Sequence, residues 1–334
     1  MPNLLSPISF AGLTLRNRIV MPPMWSGRAD AEGAVTDAII DYHRVRAAAG
    51  CGLVIVEHAF VEPCGRASST QLGVHRDELV PGLARLAKAI RSEGAVACQQ
   101  VSHAGSRTST AVTGYRPVAP SAVRHPYQQD GEVPESLDTA GIARVIAAFA
   151  AAAKRVRDAG FDAVEIHAAH GFLLSQFLSP LTNRREDLYG GTEEGRRRLH
   201  LEVLAAVREA VGEMFPIFVR LGAHDETEGG LELDEACRTA SALARAGVCL
   251  IDVSGGLQGS RGAGKPPGYF VDYAASIRAA AGIPVTVAGG ITEPSHADEI
   301  VREGRADMVG VGRAMLDDPE WARKAIAALG PASR

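Results

Sequence analysis

Short apolar runs recur along the chain, and most are followed by a stretch with apolar residues at helical spacing. The short runs are rich in Val, Ile and Leu at successive positions, which is typical of parallel strands buried on both faces. The eight runs are residues 18–21, 53–56, 96–101, 163–166, 217–221, 250–253, 284–288 and 308–311. We therefore predict eight parallel strands.

The intervening helices are predicted from their apolar period, as in Ile142, Val145, Ile146 and Phe149. The clearest are residues 80–91, 138–159, 193–211, 234–246 and 295–303. Repeated strand–helix units with right-handed crossovers form a parallel sheet, and eight of them favour a closed barrel. The predicted fold class is α/β, a single (β/α)8 TIM barrel domain over residues 1–334.

Three irregular segments complete the predicted fold. Residues 8–15, with a turn signal at Gly12-Leu13-Thr14, are expected to form an N-terminal β-hairpin that plugs the barrel floor. Residues 104–137 after the third strand and 255–269 after the sixth are long for connections. Both leave the carboxyl ends of strands, which is where barrels of this kind build their sites.

Composition narrows the classes of partner. The 35 basic and 39 acidic residues give a net charge of −4 and are interspersed, which argues against a nucleic-acid-binding surface. The N-terminus lacks a signal-peptide pattern, and the most apolar stretch, residues 142–153, is too short to cross a membrane. The five cysteines include no C-x-x-C pair, so we expect free thiols in the reducing cytoplasm, and a small-molecule substrate.

Two histidines stand at the end of the fourth strand. His167 and His170 can donate paired N–H bonds to one substrate oxygen, which stabilises charge that develops on an enolate-like oxygen. A structural pair and a metal site are the alternatives. A metal would need a third ligand at the rim, and His58, His103 and His224 all lie near strand ends, so this alternative stays open.

Glycines follow the last two strands. Gly289, Gly290 and Gly312 would let backbone N–H groups approach a phosphate closely, and Arg313 could add a charge-assisted bond. The loops after strands seven and eight are the frequent phosphate site of such barrels. The sequence therefore predicts a phosphate-bearing ligand there.

Two polar residues end otherwise apolar strands. Arg220 is an unusual side chain for such a position unless it is paired, and next to a flavin it would stabilise the anionic reduced ring. An ion pair with Asp252 or Asp225 is its alternative role. Gln100 carries the donors and the acceptor that a flavin pyrimidine edge requires.

The motifs match one family. They are LRNRIVM at 15–21, QVSHAG at 100–105, EIHAAHGF at 165–172, QFLSP at 176–180, NRR at 183–185, DLYGG at 187–191, FVR at 218–220 and GVGR at 310–313. Over residues 4–329 the sequence resembles the old yellow enzyme family, the NADH:flavin oxidoreductases that bind FMN on a barrel.

The resemblance implies that NADPH or NADH reduces FMN, which then passes hydride to an activated alkene such as an enone. His167 and His170 would be the catalytic pair that binds the substrate oxygen. The residues that the resemblance assigns to the cofactor are Pro23, Met24, Trp25, His58, Gln100, Arg220, Gly289, Gly290, Gly312 and Arg313. Larger members add an iron–sulfur site and a second nucleotide-binding domain, and neither pattern is present, so we expect electrons directly from a nicotinamide or a separate partner.

The sequence departs from the family pattern at the substrate side. Phe172 stands where many members have a proton-donating Tyr, so the proton would come from Tyr115, Tyr269, His58 or water. Phe172 and Tyr269 are the predicted substrate contacts. Trp25 replaces a redox-tuning Cys of some members, and Gly27 aligns with their nearby Tyr.

These departures leave several functions open. Flavin-dependent oxidation or demethylation of an amine or cyclic metabolite is the main alternative to ene-reduction. A metal-dependent barrel lyase or isomerase and a non-catalytic FMN-binding protein are further alternatives. Relatives are commonly oligomeric, but no interface is readable in the sequence, so a homo-oligomer is also open.

Overall fold

Eight parallel strands form a closed barrel, as predicted. The computed structural model describes residues 1–128, 130–260 and 264–330, so the predicted domain and the two long loops are described except for residues 129, 261–263 and 331–334. In chain order the strands are β1 Ile8–Phe10, β2 Leu13–Leu15, β3 Ile19–Met21, β4 Leu53–Phe60, β5 Val96–Ser102, β6 Val118–Ala119, β7 Glu135–Ser136, β8 Ala163–Ala168, β9 Ile217–Gly222, β10 Leu250–Ser254, β11 Val285–Ala288 and β12 Met308–Gly310. The barrel runs β3-β4-β5-β8-β9-β10-β11-β12, and pairing of β12 with β3 closes it.

Helices cover the outside of this barrel. They are α1 Asp37–Ala48, α2 Val80–Ser92, α3 Thr110–Thr113, α4 Thr139–Asp158, α5 Leu173–Leu178, α6 Glu193–Val211, α7 Leu233–Arg245, α8 Val271–Ala281, α9 Pro294–Arg302, α10 Arg313–Asp317 and α11 Trp321–Leu329. The five predicted helices are confirmed to within about a residue at each end. None of the helices in the described ranges combines the length and hydropathy that a bilayer span requires.

Capping and amphipathicity explain why the long helices form where they do. Asp138 begins α4 by accepting the Gly141 N–H at 2.7 Å, which satisfies a backbone donor that has no partner within the helix. Ile142, Val145 and Phe149 then bury one face of α4 against the strands. Burial of each such side chain stabilises the fold by about 1.5–3 kcal/mol.

The predicted hairpin is confirmed and lies at the barrel floor. Strands β1 and β2 pair in antiparallel register, and the Phe10 ring lies 6.0 Å from the ring of Phe218 on β9. Phe10 packs onto an apolar layer that includes Leu53, Ala163 and Leu250. The hairpin thus closes the amino-terminal end of the barrel and leaves the opposite end for a site.

The barrel interior changes from apolar to polar toward the carboxyl ends of the strands. Side chains alternate along a strand, so residues two positions apart share a face. Phe218 and Leu250 belong to the floor layer, and Arg220 and Asp252 therefore follow them on the inner face. On β8, Ala163 is followed in the same way by Glu165 and His167. These polar residues are almost completely buried.

The loop after β5 contains short elements of its own. It includes α3 and the two-residue strands β6 and β7, which pair with each other in parallel. It packs over the barrel end, where Arg185 donates to the carbonyl oxygens of Pro120 and Leu137. The prediction of long connections after the third and sixth barrel strands is confirmed.

Candidate active site

A cleft of about 1210 Å³ opens at the carboxyl ends of the barrel strands. Ligand pockets usually measure about 300–1000 Å³, so this cleft has room for a cofactor and a small second molecule. The predicted site residues that line it are Pro23, Met24, Trp25, His58, His170, Arg220, Tyr269, Gly289, Gly290, Gly312 and Arg313. The other three, Gln100, His167 and Phe172, are buried and are not among the lining residues.

Three imidazoles and one phenyl ring form a cluster at one wall of the cleft. The His167 ring centroid lies 4.9 Å from that of His170 and 4.9 Å from that of Phe172. His58 stacks on His167 at 6.3 Å and contacts Phe172 edge-on at 5.3 Å. The fold therefore brings together the predicted histidine pair, and His58 from β4 joins it.

A glutamine fixes the tautomer of His58. The Gln71 side-chain oxygen accepts the Ala67 N–H at 2.6 Å, which leaves its amide nitrogen to donate to His58 Nδ1 at 2.7 Å. Because Nδ1 accepts, the ring proton of neutral His58 is on Nε2. His58 lies within a register shift between β4 and β5, and its side chain lines the cleft.

His170 is held in a backbone conformation that few residues adopt. Its φ angle is 59°, in the left-handed region, and its N–H donates to the Gly255 carbonyl oxygen at 3.1 Å. The side-chain Nε2 lies 2.6 Å from the Ser254 hydroxyl. Strain of this kind persists where surrounding contacts over-determine it and is common at functional sites.

All three histidines are uncharged near neutral pH. Burial lowers the pKa of His58 to about 4. Burial also lowers the pKa of His167 and of His170 well below the usual histidine value, and the Arg220 guanidinium lowers both further. Each ring therefore offers one N–H donor without a charge, which is the form that binds a polarised oxygen without transferring a proton.

Arg220 has the ion-pair partner that was one of its two predicted roles, and it also lines the cleft, so a contact with a flavin stays a prediction. Its Nε lies 3.1 Å from Asp252 Oδ2. Its Nη2 lies 3.5 Å from the Ser254 hydroxyl, which links it to His170. Gln100, predicted at a flavin edge, donates its amide to Glu165 Oε1 at 2.6 Å just below.

The glycines after β11 and β12 make a close backbone approach at the other end of the cleft. A Cβ atom at Gly290, whose φ angle is 70°, would lie 2.9 Å from Cε1 of Tyr269. One at Gly312 would lie 2.9 Å from Sδ of Met24. Arg313 donates to the Tyr269 hydroxyl at 3.0 Å. Backbone N–H groups that no side chain covers, together with the Arg313 guanidinium at the start of a helix, are groups that can bind a phosphate.

Gly290→Val should weaken retention of a phosphate-bearing cofactor more than it weakens the fold. The new side chain would meet the Tyr269 ring and would have to adopt a left-handed conformation. The expected result is at least a tenfold weaker FMN affinity, measured by fluorescence titration of the protein after flavin removal. Gly282→Val, at a left-handed glycine with open space around it, is the control for strain alone. Equal loss in both variants would contradict a phosphate site here.

The metal alternative finds little support in the structure. Within the described residues, one group of potential ligand atoms lies close together, Glu62, Cys64 and His103, and it includes neither predicted histidine. His103 Nδ1 accepts the Gly105 N–H at 2.9 Å, so the ring proton is on Nε2, the atom a metal would need. Arg144 also pairs with Glu62 at 3.1 Å. Hydrogen bonds and an ion pair account for this group.

The residues that the sequence reasoning missed include two that hold histidines of the cluster in place. Ser254 lies one residue beyond the predicted sixth strand, and its position two residues after Asp252 could have revealed it as an inward-facing group. Gln71 follows His58 by thirteen residues in an irregular segment, and no local pattern marks it. The contact between Gln71 and His58 depends on the path of the irregular segment that follows β4.

Comparison with known proteins identifies the class of this fold and site. Residues 3–330 match the sequence profile of the NADH:flavin oxidoreductase / NADH oxidase family. The chain belongs to this family, which includes the old yellow enzymes and uses FMN.

Individual relatives agree with this assignment. The chain is 43% identical to the NADH oxidase of Thermoanaerobacter brockii over 97% of its length, and it spans about half, 50%, of that relative. It is 42% identical to the NADPH dehydrogenase of Listeria welshimeri serovar 6b, covering 99% of the chain and 96% of that protein. The solved old yellow enzyme homologue from Zymomonas mobilis is 28% identical, with a TM-score of 0.85 over 100% of this chain and 94% of the other.

The residues of the cleft fit FMN. The glycine backbone at Gly290 and Gly312 leaves no room for side chains where a phosphate would bind. His167 Nδ1 is buried and has no hydrogen-bond partner among the described residues. Buried polar groups of this kind are rare in native proteins unless a ligand or water satisfies them.

Proposed function

We propose that this protein is an NAD(P)H-dependent, FMN-using reductase of activated alkenes, whose polarised oxygen would be held by His167 and His170. The observation that supports it most is that two members of the imidazole cluster, the glycines after β11 and β12, and Arg220 all line one cleft. A relative named NADPH dehydrogenase matches nearly its whole length to this chain, which supports a nicotinamide as the reductant.

The cofactor would lie across the cleft from the glycines to Arg220. When bound, FMN supplies reversible two-electron hydride chemistry. The proposed phosphate contacts are Gly289, Gly290, Gly312 and Arg313, and the proposed contacts along the ring are Pro23, Met24, Trp25 and His58. Arg220 would stabilise negative charge at the pyrimidine edge of the flavin. Gln100 uses its side-chain nitrogen to bind Glu165, and its side-chain carbonyl oxygen would bind the same edge of the flavin.

The histidine pair would bind the carbonyl or nitro oxygen of the substrate. Donors held in place before the reaction stabilise the charge that develops on this oxygen and need no reorganisation. Ser254 orients the His170 ring, and Phe172 packs against both His58 and His167. The apolar Phe172 ring excludes water from this side of the pair.

Proton delivery to the α-carbon is assigned to water. Phe172 has no hydroxyl, and Tyr115 is exposed on the loop after β5. Tyr269, predicted as a substrate contact, has its hydroxyl held at the phosphate end by Arg313 and Ser260. His58 lies beside His167 but is a neutral donor with its pKa near 4, so it holds a hydrogen bond rather than supplying a proton at neutral pH.

Anaerobic stopped-flow spectroscopy tests this function. We expect NADPH or NADH to bleach the flavin absorbance and cyclohexenone to restore it in a second step. A flavin that no nicotinamide reduces would contradict the proposal and would favour a binding protein.

The second candidate, oxidation of a small amine or cyclic metabolite, is favoured by the absence of a hydroxyl at Phe172. It predicts bleaching by the amine itself.

Substrate binding should not depend on pH between 8 and 6. The pKa of His58 is about 4 and those of His167 and His170 are well below the usual value, so none of the three gains a proton in this interval. Cyclohexenone carries no ionisable group, and its dissociation constant, measured from flavin absorbance changes, is expected to be constant. A change in affinity with a midpoint near the ordinary histidine pKa, about 6.5, would contradict neutral anchoring.

The cellular setting is proposed from the cysteines. All five, at positions 51, 64, 98, 237 and 249, are free thiols. Unpaired cysteines are typical of reducing compartments, which favours the cytoplasm. Small-molecule substrates suit the size of the cleft.

A further inference from the structure

Two carboxyl groups lie inside the barrel directly beneath the cleft wall that contains Arg220. Glu165 on β8, Asp252 on β10 and Arg220 on β9 are 0%, 2% and 4% exposed. Arg220 Nε lies 3.1 Å from Asp252 Oδ2. The remaining carboxyl, that of Glu165, accepts one hydrogen bond, from Gln100 at 2.6 Å, while its Oε2 has no partner among the described residues.

The charges of this group do not balance if both acids are ionised. One guanidinium would then face two carboxylates in a site that excludes water, and an unpaired buried charge is far more costly than a neutral polar group. The groups that face Glu165 are Cys98 and Gln100 from β5, Arg220 from β9 and Asp252 from β10. Arg220 is the only cation among these four, and it is already paired with Asp252.

The pKa shifts of the two acids agree with this charge balance. Burial raises the pKa of Glu165 well above its usual range, and the Asp252 carboxylate raises it further against the opposing effects of Arg220 and Gln100. The pKa of Asp252 is also raised by burial, and Arg220 opposes this rise. Of the two acids, Asp252 is the one in contact with the cation, so it is the one that loses its proton first.

We propose that Glu165 is a neutral, proton-holding acid in the resting protein and that Asp252 is the sole counter-charge of Arg220. The two carboxyls are then positioning residues that set how much positive charge Arg220 presents to the cofactor. The effect on the cofactor rests on the proposed function, whereas the protonation of Glu165 does not.

The protonation is tested by infrared difference spectroscopy of the protein as purified. We expect a carbonyl band of a protonated carboxylic acid in the wild type at pH 7 that is absent from Glu165→Gln. Glutamine has the shape and charge of the neutral acid, so this variant should fold. In Asp252→Asn, Glu165 should lose its proton, and the band should disappear, at a lower pH than in the wild type, because the Asp252 carboxylate no longer repels the charge on Glu165. A wild-type spectrum without the band, or an Asp252→Asn band that persists to the same pH, would overturn the proposal.

The effect on the cofactor is tested by the midpoint potential of bound FMN. Glu165→Gln should match the wild type at pH 7, because the charge is unchanged. Asp252→Asn, made in the Glu165→Gln background at pH 7 so that position 165 cannot ionise, should leave Arg220 unopposed and favour the reduced flavin at least tenfold, which is about 30 mV for a two-electron couple. A tenfold rise in Glu165→Gln at pH 7 would show that Glu165 is ionised, and an unchanged potential in the double variant would remove the counter-charge role.

Glu235→Gln is the matched control for loss of a buried carboxylate. Glu235 pairs with Arg196 at 2.5 Å outside the barrel and is also buried. This variant should lose stability and leave the midpoint potential unchanged, and a shift equal to that of Asp252→Asn would overturn the local assignment. If the protein takes up no FMN, the proposed function fails, while the infrared result still decides the protonation of Glu165.

Discussion

Arg220→Ala should cost about 3–5 kcal/mol of unfolding free energy and abolish stable FMN binding. The large stability effect is expected because the Asp252 carboxylate would remain buried without its cation. The loss of FMN is expected because the guanidinium lines the cleft and, through Ser254, is linked to His170 of the histidine cluster. Urea unfolding and flavin fluorescence measure the two effects on the same preparation.

A control separates instability from loss of the cofactor contact. Arg196→Ala also breaks a buried ion pair, with Glu235 at 2.5 Å, but outside the cleft. It should lose a similar unfolding free energy and keep its FMN. Full FMN content and a normal rate of flavin reduction in Arg220→Ala would exclude Arg220 from the site, whatever the change in stability.

Replacement of the histidine pair should have the second-largest effect, and on substrate rather than cofactor. His167→Ala and His170→Ala should each weaken binding of a phenol or an enone by about 1–3 kcal/mol, the range for loss of a hydrogen bond to a charged or strongly polarised group. FMN content and reduction by NADPH should stay near wild-type values. Ligand titration followed by flavin absorbance, together with both half-reactions, measures this.

His224→Ala provides the matched control on the same rim. His224 is bonded to Glu232 at 2.9 Å and stacks on Tyr273, and it does not line the cleft. It should bind and reduce enones like the wild type. If His167→Ala and His170→Ala behave like His224→Ala, the pair does not anchor the substrate.

The barrel could be predicted from sequence because its strands are short apolar runs with helices between them. The limits of that approach are visible in β4, which continues to Phe60, whereas the apolar run ends at Val56. Glu57 and His58 interrupt the pattern, yet the backbone stays extended through the register shift. The polar interruption is where the strand reaches the site.

Helix α1 was not predicted, for a related reason. Its buried face includes His43 and Arg46, which sequence patterning assigns to a solvent-exposed surface. Arg46 lies over the Tyr42 ring at 3.8 Å and donates to the Met315 carbonyl oxygen, so tertiary contacts far along the chain compensate its burial. No local signal specifies such a contact.

The candidate site was predicted as a set of residues but not as a network. Strand ends and glycines identified the rim, because the carboxyl ends of barrel strands meet there. The pairing of Arg220 with Asp252 was one of two alternatives, and the position of Gln100 on Glu165 followed only from the register of β5 with β8. Hydrogen-bond partners across strands depend on register, which a single sequence does not fix.

The visible absorption spectrum of the purified protein, titrated with FMN and then with NADPH under argon, tests the central claim most directly. The account predicts one FMN per chain, a yellow protein, and full bleaching by the nicotinamide. A protein that stays colourless in excess FMN would contradict it.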